Sequence, residues 1–79
     1  QQAVKDPRKK NESTFLLGRA FQQKNLPDLA LGQFDKAAQA AGSGLLMKEA
    51  LYEMGAICAA QGKRDDALRH FSRILEQDI

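Results

Sequence analysis

Apolar residues recur along the chain with the 3.6-residue period of amphipathic helices, and no segment alternates long enough to form a strand. Four helices are predicted. The first runs from about Pro7 to Lys24, with Asp6 as N-cap and an inward stripe of Thr14, Leu17, Gly18 and Phe21. Asn25, which tolerates a left-handed backbone, ends it. The second helix runs from Pro27 to about Ala41, burying Ala30, Phe34, Ala37, Ala38 and Ala41. Gly42-Ser43-Gly44 breaks the chain, with Ser43 placed to cap the next helix. The third, from about Leu45 to Gln61, turns Met47, Ala50, Leu51, Met54, Ile57 and Cys58 inward and stops at Gly62. The fourth, from about Arg64 to Gln77, opens on Asp65 and Asp66, where the helix dipole favours anions. Its inward set is Ala67, Leu68, Phe71, Ile74 and Leu75. Connections this short force successive helices antiparallel.

The pattern occurs twice. Shifted by 37, residues 12–42 lie on 49–79, and six of 31 pairs are identical: Glu12/Glu49, Gly18/Gly55, Asp28/Asp65, Ala30/Ala67, Leu31/Leu68 and Phe34/Phe71. Average residue usage predicts about two. Phe15/Tyr52, Leu17/Met54 and Lys36/Arg73 keep their chemistry. Gly18 and Gly55 sit inside helices, where glycine costs about 1 kcal/mol relative to alanine. Each is followed twelve residues later by an alanine and then by a phenylalanine. Small residues on facing helices allow close backbone approach, and the ring fills the space beside it.

Composition narrows the class. The chain has 79 residues, room for one domain, too few for a dinucleotide-binding or barrel enzyme. Twelve alanines, two prolines and no tryptophan favour helix. A single cysteine excludes an intramolecular disulfide framework and a cysteine-rich zinc module. No apolar run approaches the ~18 residues of a membrane span, and no signal-peptide pattern opens the chain, so a cytoplasmic location is expected. The net charge of +2 comes from interleaved acids and bases. The one basic cluster, Lys5, Arg8, Lys9 and Lys10, lacks interleaved aromatics for base stacking and reads as a solvated first turn. A nucleic-acid-binding helical domain would use these with Lys63, Arg64, Arg69 and Arg73, and ranks below a protein-binding reading.

Candidate chemistry is sparse. Cys58 falls on the buried stripe with no base to activate it. His70, assigned to the outer side of the fourth helix, has no second ligand three or four residues away. Glu49 and Glu53 share a face but read as solvated like charges. No phosphate-binding loop and no nucleophile–base set is present. The expectation is no enzyme, no metal and no cofactor.

The spacing of Thr14, Leu17-Gly18, Phe21, Asn25, Ala30, Phe34 and Ala37, and of Leu51, Met54-Gly55, Cys58, Gly62, Ala67, Phe71 and Ile74, resembles the tetratricopeptide repeat. The departures are Cys58 in place of an aromatic, Gly42 where the family often ends on proline, and a period of 37 instead of about 34. The resemblance implies an all-α fold. Antiparallel helix-turn-helix pairs would stack as a right-handed solenoid, with one repeat over about 11–44 and a second over about 48–79. Residues 1–6 are read as the remnant of a preceding repeat, and the whole as a segment of a larger bacterial-type multi-repeat protein. It further implies a scaffold or adaptor module holding a peptide or helix of another protein in a concave groove. A structural spacer or self-association segment of the array is the alternative. The groove set is Glu12, Phe15, Arg19, Gln22 and Gln23 from the first helix, with Glu49, Tyr52, Ala56, Ala59 and Ala60 from the third. Phe15 and Tyr52 would form two aromatic walls, or else pack against a neighbouring repeat. The family's carboxylate clamp is not expected, because its sites fall on Phe15, Arg19 and Glu53. Two repeats make a small core, and Leu68, Ile74, Leu75 and Ile79 form an uncapped trailing face, so self-association through a terminal helix or marginal stability is expected.

Overall fold

The computed structural model describes residues 7–77, with side chains from Arg8. The expectations for residues 1–6, including the Asp6 cap and Lys5, and for Ile79 lie outside the described residues. The described residues form helices joined by short turns, without strands. α1 spans Pro7–Gln23, α2 Pro27–Ala41, α3 Gly44–Ala60 and α4 Arg64–Gln77. Each helix packs against the one before it, so α2 and α3 are the inner pair and α1 and α4 the outer.

The same stop is built twice. Asn25 takes φ 62° and Gly62 φ 80°, the left-handed conformation that lets the chain reverse. Leu26 N–H donates to Phe21 O at 2.9 Å and Asn25 N–H to Gln22 O at 3.0 Å. One period later Lys63 N–H donates to Cys58 O at 2.8 Å and Gly62 N–H to Ala59 O at 3.0 Å. These crossed bonds satisfy carbonyls that a bare helix end leaves orphaned. α2 ends differently: Gly42, at φ 74°, donates its N–H to Ala38 O at 3.1 Å. Ser43 stands at the N-cap of α3, but its hydroxyl makes no capping bond, so the expected cap is absent.

The core is Phe15, Ala30, Phe34, Ala37, Ala38, Met47, Ala50, Leu51, Met54 and Ile57, with Phe21, Leu31, Ala41, Leu46 and Ile74 packed at its edge. The two glycines are its contact points. A Cβ at Gly18 would lie 2.8 Å from Phe34 Cε1, and one at Gly55 2.5 Å from Phe71 Cε1. Real Cβ atoms essentially never come that close, so each ring occupies the space that glycine vacates.

Three sequence-based assignments are corrected. In α1 the buried side runs through Asn11, Thr14, Phe15, Gly18, Phe21 and Gln22, while Leu17 is 46% exposed. Phe15-Leu16-Leu17 offers three adjacent apolar residues, and Phe15 is the one whose ring meets Phe34. In α4 Leu68 and Leu75 are exposed, not inward, because no other described helix packs on that flank. His70 is half-buried instead of outward, and its Nδ1 is buried without a hydrogen-bond partner.

Candidate groove between the first and third helices

The glycine contacts set where α1 and α3 place their side chains. Phe15 packs tilted on Phe34, ring centroids 5.2 Å apart, and Tyr52 packs on Phe71 at 5.9 Å. These aromatic pairs are equivalent under the 37-residue shift. The Arg19 guanidinium lies 5.7 Å from the Phe15 ring centroid, within cation–π range.

Between α1 and α3 is an open recess of about 350 Å³, lined by Phe15, Arg19, Lys48, Glu49, Tyr52, Glu53 and Ile74. A second recess, about 480 Å³, is lined by Gln22, Asn25, Pro27, Ala56, Ile57, Ala60 and Gln61. Gln22 donates its side-chain N–H to Glu53 Oε1 at 3.2 Å, tying α1 to α3 with one partner in the lining of each recess.

The ten expected groove residues therefore separate. Phe15, Arg19, Glu49 and Tyr52 line the first recess, and Gln22, Ala56 and Ala60 the second. Glu12 and Gln23 are exposed and line neither, and Ala59 turns to the far flank beside Leu68. Phe15 is a correction of kind: it is 8% exposed, a core residue showing one edge to the recess, whereas Tyr52 is 58% exposed and open to contact. Lys48, Glu53 and Ile74 were not in the expected set. Lys48 and Glu49 share a turn with Tyr52 and Glu53 at four-residue spacing, a signal the sequence carried.

The recess mixes charges around aromatic edges. Arg19 and Lys48 contribute positive charge, Glu49 and Glu53 negative. Such a lining suits hydrogen bonds and ion pairs to an extended or helical chain, with Tyr52 supplying contact area at little entropic cost.

Among the described residues no three His, Cys, Asp or Glu side chains converge on a common point. Cys58 is buried, and burial first and Asp66 second push its thiol pKa up, with Lys63 opposing. That is the wrong direction for a nucleophile. Burial, with Arg73 and Arg69, holds the His70 pKa below its ordinary value, against Asp66 and Asp35. No described helix is long and apolar enough to cross a membrane.

No protein-family model, curated protein or solved structure matches the chain.

Proposed function

We propose that this chain is a two-repeat segment of tetratricopeptide type, working as an interaction module that holds a peptide or helix of another protein between α1 and α3. The observation that carries the reading is the recess formed by Phe15, Arg19, Glu49 and Tyr52, with equivalent aromatics from two copies of one helix pair on its walls. Its volume of about 350 Å³ has room for a few side chains of a partner. The doubled Gly–Ala–Phe pattern and the doubled helix stop support the repeat assignment. The reading gives Cys58 and His70 no chemical role.

The test is selection of binders from a displayed peptide library, followed by mapping on the labelled chain by NMR. Selected peptides are expected to shift the Arg19, Glu49 and Tyr52 resonances. The exposed substitutions Tyr52→Ala and Arg19→Ala together should weaken binding by about tenfold or more without loss of helicity. Binders that map elsewhere, or that ignore the double substitution, would leave these repeats as a spacer.

A further inference from the structure

We propose that the groove between α1 and α3 takes an extended segment of a partner, with a lysine or arginine in the first recess and, three residues away, an uncharged aliphatic side chain in the second. This rests on the interaction-module reading and names the ligand chemistry of that same site. The two recesses lie in line. Glu49 and Glu53 line the first, and Ala56 and Ala60, each seven residues further along α3, line the second. On α1 the linings likewise run from Phe15 and Arg19 to Gln22, and on to Asn25 just past the helix end. A step of seven residues keeps to one helix face and covers about 10 Å at 1.5 Å per residue.

Charge chooses the occupant of the first recess, because its charged side chains are not equally engaged. Arg19 lies over the Phe15 ring, Glu53 accepts from Gln22, and Lys48 already has an interaction. Glu49 is exposed and has no hydrogen bond or ion pair among the described residues. Tyr52, in the same lining one turn on, is 58% exposed, and an aromatic face attracts a cation. A ligand cation here meets the Glu49 carboxylate and the Tyr52 ring together, on the wall opposite Arg19. Ile74, in the same lining, offers apolar surface to its aliphatic stem.

The second recess selects differently. No charged residue lines it, so a charged side chain entering it would shed water without gaining a counter-charge. Ala56 and Ala60 stand where the first repeat has Arg19 and Gln23, so the second copy leaves apolar room at sites the first fills with polar side chains. The side-chain amides of Gln22, Asn25 and Gln61 share the lining. They suit the peptide groups that an extended chain leaves unpaired and a helix pairs internally. Spacing then separates the extended forms. In polyproline II, side chains three residues apart share a face about 9 Å apart. In a strand, side chains three apart point to opposite faces, and four apart stand about 13 Å from each other. The separation of about 10 Å between the recesses fits the first.

Selection of random peptides displayed on phage against the full chain tests this. Binders that shift the Tyr52 and Ala60 resonances are expected to carry lysine or arginine three residues from leucine, isoleucine, valine or methionine. For one such peptide, exchanging the basic residue for glutamine should weaken binding at least about tenfold on the parent chain and less than about twofold on the Glu49→Gln chain. On an Ala60→Asp chain, selection should exchange the aliphatic residue for a basic one and keep the first. Glu49 and Ala60 are both exposed, so the far-UV CD of the variants should match the parent. A library that yields no groove binder would overturn this inference and the module reading together. Groove binders with an acidic residue in place of the basic one, with the two features seven residues apart as on a helix, or with equal losses on the parent and Glu49→Gln chains would overturn this inference alone.

Discussion

Two glycines determine how closely the helices of each pair approach. Replacing either by alanine adds about 1 kcal/mol of helix propensity and sets a methyl group against a phenyl ring. At Gly18 the ring belongs to Phe34, which is fully buried and has nowhere to go. At Gly55 the approach is closer, but Phe71 is only half-buried and can swing outward. Overpacking costs about 1–3 kcal/mol in an unyielding core, so Gly18→Ala should be the more destabilising, by about 1 kcal/mol net, and Gly55→Ala nearer neutral. Gly32 is the control: it is exposed in mid-α2, and a methyl group added there would meet nothing within 4 Å, so Gly32→Ala should stabilise by about 0.5–1 kcal/mol. Urea melts of the three variants check the order. His70 gives a pH signature at the same scale. Its pKa is lower folded than unfolded, so the unfolded chain takes the proton first and stability falls as pH drops below about 6.5. His70→Gln should flatten the slope of melting temperature between about pH 7 and pH 5.

Helices are read from the chain by period, and period says less about which side is buried. The four elements, the Asn25 and Gly62 stops and the boundaries of α2 and α4 were legible because caps and prolines mark them. The α1 stripe was ambiguous: Leu17 and Phe15 both lie within a helical turn of Gly18, and only the position of the Phe34 ring chooses Phe15. α3 is different, since it packs against both α2 and α4 and is apolar over most of its surface. Its Leu51 is fully buried, and Leu51→Ala should cost about 2–5 kcal/mol. Leu17→Ala, on the open side of α1, should stay within about 0.5 kcal/mol. Equal losses at the two positions would mean that α1 is rotated about its axis, with Leu17 turned inward.

At the scale of the whole chain, the groove and the α4 flank are both products of repetition. A repeat puts equivalent side chains on equivalent sites, which is why Phe15 and Tyr52 could be matched from sequence alone. It does not say how far apart α1 and α3 sit, so the division into two recesses and the Gln22–Glu53 bond between the helices were not legible. The exposure of Leu68 and Leu75 was legible only in part, because their pattern matches the half-buried Leu31 and the buried Ala38 of the first copy. The account depends throughout on a ring seated on each glycine, since that contact sets the spacing within both helix pairs and so the groove between them. Proton–proton NOE spectroscopy on the labelled chain tests it most directly. Strong cross-peaks from the Gly18 α-protons to the Phe34 ring and from the Gly55 α-protons to the Phe71 ring are predicted, with those α-protons shifted by the ring currents. Glycine α-protons that show no contact with either ring would contradict it.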